Sequence, residues 1–232
     1  MKKLIQAFLG KFGYRLQSLR DSIMDKDADF NRIYERCKPF TYTTKERMFS
    51  LYESVKYIVN AGIKGDFVEC GVWKGGSVMV MAMTLKLLGE DRRIWLYDTF
   101  EGMPPMTKED YHVNDPTNRD DSDKAIGTLQ EVMLNIASTN YSVHNFILVQ
   151  GKVEDKIPKI MPEKISILRL DTDWYASTKH ELEYLYPYLE KGGVLIIDDY
   201  GAWAGAKKAV DEYFQGRILL NRIDHDSRLS IK

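Results

Sequence analysis

Two short stretches concentrate the side chains best suited to chemistry. "LRLDTDWYAS" sets Asp171 and Asp173 behind an apolar run, and "VLIIDDYGAWAG" sets Asp198 and Asp199 side by side behind another. Adjacent like charges repel, and successive strand side chains point to opposite faces, so the second pair needs either solvent or a cation. Both stretches read as the ends of neighbouring strands, which brings these four carboxylates to one crevice. Left unpaired they repel or hold protons. A hard divalent cation such as Mg²⁺ relieves them, because it takes oxygen ligands and keeps positions for water or substrate oxygens. For Asp198 and Asp199 both to face one ion the chain has to bend between them, and Gly201 just beyond makes a bend easy. The competing reading is solvated strand ends, with Asp173 capping a helix that starts near Ser177.

A second constellation is "FVECGVWKGGS", which runs strand, turn, helix. Gly71 permits a tight turn, and Gly75 and Gly76 allow close backbone approach, although the spacing is not G-x-G-x-x-G. Glu69 ends the first strand with a carboxylate toward the cleft. That charge disfavours a pyrophosphate and suits a cationic cofactor such as S-adenosyl-L-methionine. Asp98 ends the second strand, where nucleotide-binding folds place an acid on ribose hydroxyls. Together these favour methyl transfer over the hydride transfer of a nicotinamide-dependent oxidoreductase.

Other chemistries find little support. His112, His144, His180 and His225 are scattered without metal-ligand spacing, and neither a Ser-His-Asp arrangement nor a P-loop is present. Cys37 and Cys70, the two cysteines, form no metal or disulfide motif, which fits a reducing, cytoplasmic setting. A net charge of −1 over 232 residues gives no electrostatic footprint for nucleic acid.

The elements that position these residues follow from the apolar patterning. Near-continuous apolar runs at 66–70, 93–98, 145–149, 165–171 and 193–198 suit strands covered on both faces. Helical segments alternate with them, and "RILLNRIDHDSRLSIK" reads as a closing antiparallel pair of strands. Capping-box spacings place helix starts at Thr43 with Glu46 and at Thr178 with Glu181, and Gly192–Gly193 read as the end of the latter helix. Pro187 marks a kink or early turn in it. The expected architecture is α/β: a doubly wound, Rossmann-like, mainly parallel seven-stranded sheet with an antiparallel C-terminal hairpin. Ligands then bind at the carboxyl ends of the strands. Residues 101–123 form a long polar loop read as a lid. Residues 1–40 read as an N-terminal helical extension, with Leu4, Ile5, Phe8, Leu9, Phe12 and Leu16 at helical spacing among lysines and arginines. That pattern allows peripheral contact with a membrane surface through residues 1–20, or packing on its own domain or a partner subunit.

Four ordered blocks, "VECGVWKGGS", "DTFEGMP", "LRLDTDWYAST" and "LYPYLEKGGVLIIDDYG", resemble the macrocin O-methyltransferase (TylF-like) family over roughly residues 41–215. The resemblance implies a metal-dependent sugar O-methyltransferase that uses S-adenosyl-L-methionine, with its methyltransferase domain over residues 41–232. It implies Asp171, Asp198 and Asp199 as ligands of Mg²⁺ or another hard divalent ion, and Asp173 as general base. Around the cofactor it implies Thr41, Glu69, Gly71, Val72, Trp73, Ser77, Asp98 and Gly151, the last near adenine. The acceptor is expected to be a sugar of a glycan or secondary metabolite with vicinal oxygens, and the protein a homo-oligomer. Cys70 stands where a threonine is common, and Thr172–Trp174 fall in a variable stretch, where Trp174 is expected to border the acceptor; Trp203 reads equally as lining the acceptor side or as core packing. A non-catalytic cofactor-binding protein is the remaining alternative, and the intact aspartates argue against it.

Overall fold

The protein is described by a computed structural model that covers residues 2–13, 22–117 and 126–232. Helix α1 (Lys2–Gly10) is followed by α2 (Ile23–Lys26), α3 (Ala28–Cys37) and α4 (Lys45–Asn60). Strands and helices then alternate through β1 (Asp66–Cys70), α5 (Gly76–Leu88), β2 (Ile94–Asp98), α6 (Leu129–Ala137) and β3 (Phe146–Gln150). The second half runs α7 (Val153–Lys156), β4 (Ile165–Leu170), α8 (Tyr175–Tyr184), β5 (Leu189–Ile197) and α9 (Ala204–Phe214), then β6 (Asn221–Arg222) and β7 (Arg228–Ile231). The sheet order is β3-β2-β1-β4-β5-β7-β6, with β1 to β5 parallel and the final two strands antiparallel. The expected seven-stranded, mainly parallel architecture is therefore present. Strand order reverses between β1 and β4, so their carboxyl ends open a crevice.

The alternation of side chains along each strand divides the core into two layers. Phe67, Ile94, Leu96, Ile167 and Ile196 pack with α3, α4, α5 and α6, while Val68, Tyr97, Leu168, Leu195 and Ile197 pack with α8 and α9. Phe30, Ile33 and Cys37 of α3 belong to the first layer, so this helix is part of the domain core and not an appendage. In α1, Ile5 and Phe8 are exposed, as is Phe12 just beyond it; Leu16, Arg15 and Arg20 of the same pattern lie outside the described residues. No helix among the described residues is long and apolar enough to cross a membrane.

Several helix boundaries differ from the expected ones. The cap of α4 is Thr44, whose hydroxyl accepts from Arg47 N, not Thr43. α8 begins at Tyr175, ahead of Thr178, and Glu181 turns inward to Thr172 instead of completing a capping box. The helix ends at Tyr184, before Pro187, and Gly192–Gly193 lie within β5, where its register against β4 shifts. α6 starts at Leu129 behind the cap Thr128, whose hydroxyl accepts from Glu131 N, and Gly127 just before it lies against the backbone of Trp73.

Candidate active site

The cleft over the β1–β4 reversal has a volume of ≈ 220 Å³. All twelve residues singled out from the sequence line it: Thr41, Glu69, Gly71, Val72, Trp73, Ser77, Asp98, Gly151, Asp171, Asp173, Asp198 and Asp199. The β1–α5 turn depends on glycine for a specific reason. Gly71 has φ 82°, and a Cβ there would overlap the carbonyl oxygen of Asp171, so the turn can lie directly on the end of β4. Asp98 Oδ2 accepts from Val72 N at 2.6 Å and Trp73 N at 3.0 Å, and its Oδ1 accepts from Phe100 N at 2.8 Å. Asp98 thus secures the glycine turn as well as its own loop, beyond the ribose role expected of it. Trp73, at φ 46°, stacks on the exposed ring of Tyr42 at 3.9 Å between centroids. Gly151 N bonds Asp98 O at 2.9 Å, which ties the β3 end to the β2 end.

The carboxylates converge, but in a grouping that the sequence did not foretell. Asp171, Asp173 and Asp199 each offer an oxygen within 4.8 Å of the others. Asp198 instead accepts from Arg169 Nη2 at 2.7 Å and from Arg47 Nη1 at 2.5 Å. It therefore faces the same guanidinium as Asp171, whose Oδ2 accepts from Arg169 Nη1 at 2.6 Å. The chain does bend after Asp198, and Ala202 N and Trp203 N close the turn onto Asp199 O. Burial raises the Asp171 carboxyl to about 6 and the Asp198 carboxyl to about 6, against the opposing pull of Arg169. Asp199 is pushed well above its ordinary value by burial and by Asp173 and Asp198 beside it, and its Oδ2 is buried without a hydrogen-bond partner. Such a crowded set of oxygen donors, one of them orphaned, fits a hard divalent cation.

Two arginines were missed from the sequence. Arg169 sits mid-strand in β4, directly paired with Glu69 of β1, and binds Glu69, Asp171 and Asp198. Its signal was a lone arginine in the apolar run "ISILRLD", two residues before Asp171 and hence on the same face. Glu69, read as a carboxylate toward the cleft, has one oxygen held by Arg169 and the other buried without a hydrogen-bond partner, and burial raises its carboxyl to about 8. Arg47, on α4, spans Asp198, Asp224 and Asp226 and so ties the site to the β6–β7 turn. Nothing local in the α4 sequence marks it.

The described part of the long loop is docked against the fold. Asp110, fully buried, accepts from the first amide of α8, Tyr175 N, at 2.8 Å and from Thr107 N at 2.8 Å. Val113 N bonds Ala202 O and Ala204 N bonds Tyr111 O, while Trp174 Nε1 donates to Pro104 O at 2.8 Å. Trp174 and Trp203 are buried and pack edge to face at 4.9 Å, with Met103 and Met106 against them. They back the cleft wall while Gly102, Met103 and Pro104 face it. The two indoles therefore stand behind the cleft wall and do not line it, which for Trp203 is the core-packing role.

The macrocin-O-methyltransferase (TylF) family model matches residues 20–228, beginning earlier and ending later than the four sequence blocks. A tetracenomycin-C rhamnosyl 4'-O-methyltransferase from Streptomyces olivaceus is 31% identical over 219 residues, covering 92% of this chain and 82% of that protein. The mycinamicin III 3''-O-methyltransferase of Micromonospora griseorubida is 31% identical over 172 residues, covering 72% of this chain and 67% of that protein. Among solved structures, the O-methyltransferase NovP superimposes with a TM-score of 0.76 at 29% identity, over 83% of this chain and 82% of that one. With the family model spanning most of its length and these relatives alongside, the chain belongs to the macrocin-O-methyltransferase (TylF) family of O-methyltransferases.

Proposed function

We propose that the protein transfers a methyl group from S-adenosyl-L-methionine to a hydroxyl of a sugar, carried by a glycan or secondary metabolite, with a divalent cation such as Mg²⁺ at the carboxylate cluster. The observation that carries this reading is the approach of Asp171, Asp173 and Asp199 to within 4.8 Å at one end of the cleft. The rhamnosyl and mycinamicin relatives support a sugar-bearing acceptor.

A sugar hydroxyl is too weak an acid to attack a methyl group readily near neutral pH. A cation held by these carboxylates would supply Lewis acidity toward the acceptor, and S-adenosyl-L-methionine would supply an already activated methyl group. The chain has to supply placement and a proton acceptor. The β1–α5 turn and the ends of β2 and β3 hold the cofactor side, with Asp98 and Gly151 toward the nucleoside. Asp171 and Asp199, which share the close grouping, would be cation ligands, and Asp198, held here by Arg169 and Arg47, is the third that the family resemblance adds. Asp173 is the general base that accepts the hydroxyl proton. Holding oxygen, carbon and sulfur in line is worth several orders of magnitude in rate by itself.

The test pairs calorimetry with label transfer. Purified protein is expected to bind S-adenosylhomocysteine in the presence of Mg²⁺, and to move labelled methyl onto members of a panel of rhamnosides and other glycosides. Failure to bind S-adenosylhomocysteine with Mg²⁺ present would overturn the reading.

A further inference from the structure

Behind the carboxylate cluster lies a buried acid that the proposed chemistry does not use. Glu181 projects from the middle of α8, is fully buried, and accepts a hydrogen bond at 2.9 Å from the hydroxyl of Thr172. Its Oε2 has no hydrogen-bond partner, and the buried Cys70 thiol at the end of β1 is a neighbour. Burying a carboxyl group with one oxygen unsatisfied costs more than burying an aliphatic side chain of similar size. Packing of α8 on the sheet does not explain its presence.

Its contact does. Thr172 stands between Asp171 and Asp173, and its backbone is caught in a three-residue turn: Trp174 N bonds Thr172 O at 2.7 Å across Asp173, which has φ 64°. A turn of this kind with positive φ at a residue bearing a side chain is uncommon and strained, so it persists only where its surroundings over-determine it. The surroundings are named: Asp171 N bonds Cys70 O at 2.9 Å, Ser177 Oγ donates to Trp174 O at 3.1 Å, and Glu181 holds the Thr172 side chain from below. Of these, the Glu181 contact is the one that restrains the side chain of Thr172, the residue that opens the turn.

We infer that Glu181 is a positioning residue: through Thr172 it fixes the left-handed turn that aims Asp171 and Asp173 at a common point. The inference rests on the metal-dependent reading above, and its test separates the two. Thr172→Val keeps the shape and removes the donor. Glu181→Leu removes the acceptor, and Glu181→Gln restores one. Mn²⁺ binding is measured by calorimetry on protein with S-adenosylhomocysteine, and hydrogen exchange is followed at the Trp174 amide. Thr172→Val and Glu181→Leu are each expected to weaken Mn²⁺ binding by roughly tenfold or more and to speed exchange. Glu181→Gln stays close to wild type. The double variant Thr172→Val with Glu181→Leu is no worse than the poorer single one, because both break the same contact. Unchanged exchange and unchanged Mn²⁺ affinity in Thr172→Val would overturn the positioning role. Absence of Mn²⁺ binding in the wild-type protein overturns the metal reading, and the Trp174 exchange then decides the positioning role alone.

Discussion

At the scale of single residues, Asp173 and Asp198 divide the roles at the cluster, and their amide variants separate them. If Asp173 is the base and Asp198 a ligand, Asp173→Asn lowers kcat by about 10²–10⁴ and leaves Mn²⁺ affinity close to wild type. Asp198→Asn lowers Mn²⁺ affinity instead. The inverted pattern would assign the third ligand to Asp173, the residue that shares the close grouping with Asp171 and Asp199. Arg169 is the electrostatic counterpart of the site. Glu69, Asp171 and Asp198 pair with Arg169, and Asp198, Asp224 and Asp226 pair with Arg47. Arg169→Met would strand buried carboxylates, and a loss of roughly 3–5 kcal/mol in urea unfolding is expected.

At the scale of elements, the N-terminus of α8 is completed from outside. The helix lacks a side-chain cap of its own, since Trp174 occupies the N-cap, and Asp110 of the long loop accepts from its first amide. One hydrogen bond therefore serves both to cap the helix and to seat the loop that carries Met103 and Pro104 to the cleft. Asp110→Ala is expected to cost about 1–2 kcal/mol, as loss of a cap does, and to raise KM for the acceptor more than it changes affinity for S-adenosylhomocysteine. An equal change in both would mean that the loop seats the cofactor instead.

At the scale of the whole molecule, burial of acids inside the sheet makes stability depend on pH in two windows of opposite sign. Burial raises the carboxyls of Glu69 and Glu181 from 4.5 to about 8, with Glu154 and Asp171 adding to the effect at Glu181. Between those values the folded chain holds protons that the unfolded chain has released, so unfolding releases protons and stability falls as pH rises toward 8. Glu181→Gln, which cannot ionise, is expected to flatten the fall in Tm between about pH 5 and pH 8 in metal-free protein. Asp224 acts in the other direction. Although burial opposes it, hydrogen bonds from Arg47, Ser227 N and Thr44 hold its carboxyl well below the ordinary range. Its contribution is present above the unfolded carboxyl's titration and is lost progressively as pH falls from there through the folded group's lower one. Ligand linkage gives a further check: S-adenosylhomocysteine at a hundred times its Kd stabilises the folded state by about 2.7 kcal/mol, whereas NADH leaves Tm unchanged.

The chain's apolar runs and strand-ending acids carried the architecture and the location of the site, because burial on both faces forces continuous hydrophobicity and because parallel sheets present their ligands at strand ends. Thus the five parallel strands, the glycine turn at Gly71 and the strand-ending acids Glu69, Asp98, Asp171 and Asp198 were legible, while Thr41, Ser77 and Gly151 came from the family resemblance. Tertiary structure alone decided who pairs with whom. Arg47 meets Asp198 across 151 positions of sequence, and Glu69 meets Arg169 across 100, contacts that no local pattern encodes. The start of α8 shifted for the same reason: Asp110 caps it where folded geometry brings a distant oxygen to an amide, and Glu181, placed to finish a capping box, turns inward to hold Thr172. The bend at Asp198–Asp199 exists, yet two guanidiniums fixed by distant helix and strand determine which way its first carboxylate faces. Patterning along a chain reports which residues are buried and where strands end; the partner of a buried charge is set by the packing that removes its water.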